Sequence, residues 1–391
     1  MPYETRSAAG SAPNTTPGAN NPGANNDPTA PAATLIYDDW YPAVRSDALR
    51  GRQTATTLLL GTPLLLGRTG KGPGEGKLFA MKDSCPHRGI PLSCGGFDAR
   101  TVTCKYHGWR FEPLSGQCLE IPSLTSKDTL DCSRIFATAY PCEERDGYAW
   151  VYVPAPGSGR LSAQDRATLP PVPELPKFGA RFRSSHLIAD LPCNVDHGII
   201  GLMDPAHGPF VHQAWWWRTQ HSIHEKEKHF EPIPQGFRMS AHAPSGNSAP
   251  YKLLGVYGQP ITTTIDFVLP NRRYETIRCG DKWFSSLTTV TPVTATRSRI
   301  DVYAAWNVFY RVPFVPAIAR FFGERFVEQD RMTMVQQAAG LQYNPALMLI
   351  DDADRPAKWY FALKQARLNA AANGGEFVHP LTGPVTLHWR S

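Results

Sequence analysis

Apolar positions divide the chain into three regimes. Residues 1–34 are mostly Ala, Pro, Asn, Gly and Thr, with almost no large apolar side chains. Such a stretch cannot bury enough surface to offset the entropy of ordering, so a disordered tail is expected. It lacks the apolar centre of a signal peptide. From Leu35-Ile36-Tyr37 and Trp40-Tyr41 onward, short apolar runs cut by Gly and Pro predict a small all-β domain. Residues 57–60, 64–66, 78–81 and 148–153 read as its strands. The glycine-rich stretch 67–76 lacks the G-x-x-x-x-G-K-[ST] spacing of a phosphate loop and reads as a hairpin turn.

The third regime changes period. Residues 182–191 read as a strand, and alternating runs at 262–268, 283–290 and 299–306 predict an antiparallel meander. Ile318, Phe321, Phe322, Phe326 and Val327 then recur at helical spacing, predicting a helix over 316–342, and 356–371 reads as another. Strands followed by a long helix predict an α+β domain in which a curved sheet wraps a helix. The boundaries drawn are a tail at 1–34, an all-β domain at 35–155, a Pro/Gly/Ser-rich linker at 156–178 and the α+β domain at 179–391.

Composition narrows this little. The chain has 391 residues, 42% hydrophobic and 19% charged, enough for two globular domains. No apolar run approaches the ~20 residues of a spanning helix; residues 309–322 come nearest, but Arg311, Pro313, Pro316 and Arg320 interrupt them. A cytoplasmic protein is the expectation. The net charge of +6 is spread without a dense basic run, which argues against nucleic acid and would suit an acidic electron carrier. Eight cysteines in a chain this long argue for thiols and metal ligation over a disulfide framework.

Two constellations carry chemistry. The first is Cys85-Pro86-His87-Arg88-Gly89 followed by Cys104-Lys105-Tyr106-His107-Gly108-Trp109. Two Cys and two His can hold one structural zinc, or a [2Fe–2S] cluster with two Cys on one iron and two His on the other. A zinc finger groups its cysteines together and its histidines together, whereas here each loop supplies one of each. That favours the cluster. Cys94, Cys118, Cys132, Cys142, Cys193 and Cys279 read as buried small apolar residues. The second constellation is Asp204-x-x-His207-x4-His212. Two histidines and a nearby carboxylate are too few for a closed structural site and enough to begin an open one.

Residues 85–109, with Gly116 and Cys118, resemble the Rieske domain of the Rieske non-haem iron oxygenases, and residues 204–212 resemble that family's D-x-x-H-x4-H motif. Respiratory Rieske proteins carry an extra cysteine in each loop; Ile90 and Tyr106 stand in the corresponding places here. The resemblance implies an N-terminal Rieske domain and a C-terminal helix-grip domain. Cys85, His87, Cys104 and His107 would hold the cluster. His207, His212 and a downstream acid would hold a mononuclear Fe(II). Asp330 stands in the ligand position of the run Glu328-Gln329-Asp330-Arg331, with Glu328 and Glu324 as alternatives. Asp204 would connect the metal centres across subunits of a head-to-tail homotrimer, facing His107 of the next chain.

The family's terminal oxygenases draw electrons from NAD(P)H through a separate reductase or ferredoxin, and no dinucleotide or flavin fingerprint stands in this chain. The wording around Met203-Asp204-Pro205-Ala206-His207 is closest to the monooxygenase and demethylase branch, implying monooxygenation of a bulky, hydrophobic, polycyclic compound. An aromatic-ring cis-dihydroxylating dioxygenase, a Rieske electron-transfer protein and an apolar-ligand-binding module are the alternatives. Relatives often have Asn or Glu three or four residues before the bridging Asp. Here those places are Gly201 and Ile200, and Asn194 and Asp196 are the nearest substitutes. Trp215-Trp216-Trp217 read as core packing ahead of substrate contact, and His197, His221, His224, His229 and His242 as surface or hydrogen-bonding residues.

Overall fold

A computed structural model describes residues 35–51, 53–70, 76–213, 221, 223–243 and 254–391. The chain divides into two compact units. One comprises Ala48–Leu58 and Thr62–Ala139 together with Leu35; the other comprises Ile36–Asp47, Leu59–Gly61 and Tyr140–Ser391. The tail at 1–34 and the three tryptophans at 215–217 lie outside the described residues.

The first unit is built from small antiparallel sheets. Thr62–Arg68 pairs with Leu78–Lys82, in register from Leu64 opposite Lys82 to Arg68 opposite Leu78. In these strands Leu64 to Gly67 and Leu78 to Met81 are buried on both faces, so the sequence reads as continuous apolar runs without alternation. A side chain at Gly67 would meet the Phe79 ring at 2.6 Å, which explains the glycine inside a strand. A second sheet runs in chain order through Gly96–Phe97, Val102–Thr103, Arg110–Phe111 and Cys118–Glu120. Leu65, Phe79, Met81, Leu92, Val102 and Phe111 form the core, and Cys85 and Cys104 are buried within it.

The second unit holds a three-stranded sheet with Tyr148–Val153 between Asp39–Arg45 and Cys142–Arg145. All six residues of the central strand are buried. Pro42, which has no N–H to give, sits on an outer strand where the register shifts. The larger sheet has eight antiparallel strands. Glu225–Ile233, Gly236–His242, Ile261–Val268, Arg272–Cys279, Lys282–Pro292 and Ser298–Trp306 follow one another as a meander, flanked by Val385–Arg390 on one side and Arg183–Leu191 on the other. This is the expected α+β architecture, with strand and helix positions close to those read from periodicity.

Two differences stand out. Residues 156–178 are no bare linker. Val172 and Leu175 are buried with Trp40, Trp150 and Trp283, and the Trp40 indole donates to the Pro170 carbonyl at 2.7 Å. Their proline content fits an extended segment laid on a core as well as it fits a tether. Val385–Arg390 escaped the reading altogether, although Leu387 and Trp389 are buried and their neighbours exposed, a short period-two signal.

Three helices matter for the site. Val195–Met203 starts at Asn194, whose side chain accepts the His197 backbone N–H at 3.0 Å. Val315–Leu341 carries Pro316 in its first turn, where no intrahelical donor is lost. It packs on Arg183–Leu191 so closely that a Cβ at Gly323 would stand 2.5 Å from Leu187. Arg355–Asn373 ends at Gly374, in left-handed conformation at φ 61°. Lys364 Nζ and the Tyr360 hydroxyl both donate to Asp196, at 2.6 and 2.5 Å, tying this helix to Val195–Met203. Among the described residues no helix is long and apolar enough to cross a membrane. Phe314, Ile318 and Phe321, from the most apolar segment, are exposed at the start of the long helix.

Candidate metal centres

The first constellation forms two matched loops. In each, the glycine four residues after the cysteine donates its N–H to the cysteine carbonyl, at 2.9 Å for Gly89 and 3.0 Å for Gly108. The cysteine N–H donates in turn to Ile90 or Trp109 five residues on. Gly89 and Gly108 adopt φ of 73° and 70°, the left-handed region that favours glycine. The loops therefore turn alike and bring like to like. Cys85 and Cys104 are 3% and 2% exposed, and burial with the neighbouring Cys104 thiol raises the Cys85 thiol pKa. His87 and His107 lie toward solvent with ring centroids 4.6 Å apart, and Trp109 stacks on His87 at 4.6 Å. An inner thiol pair and an outer imidazole pair suit a cluster with chemically different ends. A single zinc would want all four donors around one point.

The second constellation converges as a three-ligand set. His207 and His212 come from the turn after Val195–Met203, and Asp330 from the middle of the long helix. One ligand atom from each lies within 4.8 Å of the others. His212 Nε2 is 3.1 Å from Asp330 Oδ1 and 3.1 Å from His207 Nε2. The Nδ1 atoms point elsewhere: that of His212 is 3.1 Å from Gln329 Oε1, and that of His207 is 3.7 Å from Asp204 Oδ2. Both rings thus offer Nε2 to one point; Gln329 supports the back of His212, the arrangement a metal-ligating histidine needs, while the back of His207 faces the Asp204 carboxylate beyond hydrogen-bond distance. Phe326 stacks on His212 at 3.6 Å and 12°, and His212 is only 3% exposed. Burial depresses the His207 pKa, but the Asp204 carboxylate and then Asp330 outweigh it and hold the pKa raised. Two neutral imidazoles and one carboxylate are the donor set that suits ferrous iron with open positions.

The competing acids point away. Glu328 pairs with Arg331 and Glu324 with Arg320, both on the exposed side of the helix. Asp204 Oδ1 accepts the Ala206 N–H at 2.7 Å, closing the turn that aims His207, while Oδ2 faces the His207 ring. Neither substitute for the family's Asn or Glu serves near Asp204: Asn194 caps its helix and Asp196 is engaged by Tyr360 and Lys364. Gly201 instead meets Met334 of the long helix, where a Cβ would stand 3.4 Å from the methionine methyl.

Of the remaining cysteines, Cys118, Cys193 and Cys279 are buried as expected, whereas Cys132 and Cys142 are only partly buried and Cys94 is exposed. Burial pushes the Cys193 thiol up to about 11. His197, expected as a surface or hydrogen-bonding residue, lines a cavity of about 220 Å³ that Asp204, His207 and Asp330 also border. Its position four residues before Gly201 puts both on one helix face, a signal the sequence did carry.

The chain covers this ground in company. Residues 39–138 match the Rieske [2Fe-2S] domain. The chain thus carries a Rieske [2Fe-2S] domain. It is similar to the crystal structure of dicamba monooxygenase bound to dicamba, with a TM-score of 0.64 and 21% identity, covering 87% of this chain and 100% of that one. That likeness establishes a Rieske-oxygenase fold. Chlorophyllide a oxygenase of Chlamydomonas reinhardtii is 32% identical over 238 residues, 60% of this chain and 32% of that protein. Dicamba O-demethylase, oxygenase component, of Stenotrophomonas maltophilia is 30% identical over 185 residues, 46% of this chain and 49% of that protein. The alignments span about a third of the length of the first curated relatives.

Proposed function

We propose that this Rieske protein is the terminal oxygenase of a multi-component system, monooxygenating a hydrophobic compound by hydroxylation or oxidative demethylation. The observation that carries the reading is the convergence of His207, His212 and Asp330 within 4.8 Å beside an apolar cavity, in a chain that also bears a Rieske domain. When bound, the cluster supplies single electrons and the ferrous ion supplies a site at which O2 is activated.

The chain's own residues do the rest. Cys85, Cys104, His87 and His107 hold the cluster; His207, His212 and Asp330 hold the iron. Gln329 sets the His212 ring, and the Asp204 carboxylate faces the His207 ring. Leu191, Ile300, Met203, Met334 and Leu349 give the cavity an apolar wall beside the ligand set. A volume of about 220 Å³ lies below the ~300–1,000 Å³ of common ligand pockets. It supports a compound of one ring with substituents in place of the polycyclic body expected from the sequence.

Electrons come from NAD(P)H through a separate reductase or ferredoxin. The assembly is a homotrimer in which Asp204 of one copy meets His107 of the next; Asp204 is 34% exposed and His107 faces solvent in part, so both are available to a neighbour.

The test is substrate-dependent oxygen uptake by the holoenzyme with a surrogate reductase, across a panel of apolar compounds under ¹⁸O2. One labelled atom per product supports monooxygenation, and two would mark a cis-dihydroxylating enzyme. Oxidation of no compound while the reduced cluster reoxidises normally would leave an electron-transfer protein.

A further inference from the structure

The cavity beside the ligand set has a polar end remote from it. Gln337 Oε1 and His197 Nδ1 are buried, line the cavity, and, like His207 Nδ1 at the ligand set itself, make no hydrogen bond among the described residues. Buried polar atoms are nearly always satisfied, and leaving one unpaired costs as much as breaking a bond. Two such atoms opening on one apolar cavity make a recognition point.

Their placement follows from two helices that approach each other at Gly201 and Met334. Gly201 of Val195–Met203 faces Met334 of the long helix, and a Cβ there would meet the methionine methyl at 3.4 Å, an ordinary van der Waals distance. One turn before Gly201 lies His197, and one turn beyond Met334 lies Gln337. In the other direction lie Asp204 and Asp330. The metal ligands and the polar pair thus occupy opposite ends of one cavity, with the bare backbone of Gly201 keeping its waist open. Asp330 and Gln337 are seven residues apart on one helix, about 10 Å at 1.5 Å per residue. Asp354 also borders the cavity, but its carboxylate already accepts the Ile350 N–H at 2.8 Å.

The chemistry of the pair is restrictive. The Gln337 carbonyl oxygen can only accept. Burial depresses the His197 pKa, which keeps its ring neutral, so Nδ1 either donates or accepts according to tautomer. One group satisfies both partners by donating to the carbonyl and exchanging a bond with the ring: a hydroxyl.

We infer that His197 and Gln337 anchor the hydroxyl of a hydroxylated apolar compound, such as an alkylphenol, placing its far carbon about 10 Å away at the His207–Asp330 end. This deepens the oxygenase reading by naming a substrate class, and rests on it only for what happens after binding. Gly201 sets the cavity's width, Gln337 and His197 its preference.

The test reads binding alone. Affinities of 4-propylphenol and propylbenzene are measured by calorimetry on the full holoenzyme without reductase, so a failed oxygenase assay leaves the result intact and a failed binding result leaves the oxygenase question open. The wild type is expected to bind the phenol roughly tenfold more tightly, the worth of two modest hydrogen bonds. Gln337→Leu, which keeps volume and removes the acceptor, is expected to abolish or reverse that preference. His197→Leu should act in the same direction and serves if Gln337→Leu does not fold. Gly201→Leu, filling the waist, is expected to weaken both probes. Equal affinity for the two probes, no saturable binding of either, or unchanged binding in Gly201→Leu would overturn the inference.

Discussion

Gln329 offers the sharpest perturbation of the iron site without touching a ligand. Its Oε1 lies 3.1 Å from His212 Nδ1, which requires that nitrogen to carry the proton and leaves Nε2 as the lone-pair donor. In Gln329→Leu the ring stays in place, because Phe326 stacks on it at 3.6 Å and it is 3% exposed. What is lost is the acceptor behind it. A buried Nδ1–H without a partner costs about 1–3 kcal/mol, and the opposite tautomer, which avoids that cost, puts a proton where the metal should bind. Loss of such a supporting partner typically lowers metal affinity about 10- to 100-fold, or roughly 1.4–2.8 kcal/mol. The assay is anaerobic competition for Fe(II) between the protein and a chelator, with the visible spectrum of the Rieske cluster as an internal control. Gln329→Glu, which retains an acceptor, is expected to hold iron at least as tightly as the wild type. An affinity for Gln329→Leu within twofold of wild type would refute the orienting role.

Other expectations concern different parts of the chain. Asp204→Asn should retain all three irons and the cluster spectrum while product formation collapses; normal turnover would remove Asp204 from the connection between centres. Asp196→Ala leaves the Lys364 ammonium, 8% exposed, without its carboxylate and is expected to cost about 3–5 kcal/mol in denaturant unfolding; a loss under 1 kcal/mol would contradict the burial of that pair. Hydrogen bonds from the Arg100 and Thr101 backbone N–H groups and the Thr101 hydroxyl hold the Asp98 carboxyl down at about 2. A depressed folded pKa stabilises above the ordinary value near 4 and loses that effect as pH falls toward 2. Asp98→Asn should therefore destabilise more at pH 6 than at pH 2; an equal loss at both would refute the shift.

How much of this was legible in the sequence depended on how local the cause was. The meander strands and the long helix followed from periodicity because each buries one face against a single neighbour. The paired Cys-x-His and Cys-x-x-His loops were legible because glycine at φ near 70° and the cysteine burial are both encoded within a few residues. Asp330 could be favoured over Glu328 only by resemblance; the helix face that decides between them is set by packing on Arg183–Leu191. Trp40 joins Val172, Leu175 and Trp283 in one core, contacts of very long range that a proline-rich composition conceals. The polar end of the cavity was not legible as a unit, because His197 and Gln337 stand 140 residues apart and share a cavity only in the fold.

The account stands or falls on iron. Protein reconstituted anaerobically should contain about three irons and two sulfides per chain, one cluster plus one ferrous ion. Asp330→Ala should fall to about two irons with the cluster spectrum intact, and Glu328→Ala should keep all three. A wild-type content of about two irons, or the loss of the third in Glu328→Ala and not in Asp330→Ala, would contradict it.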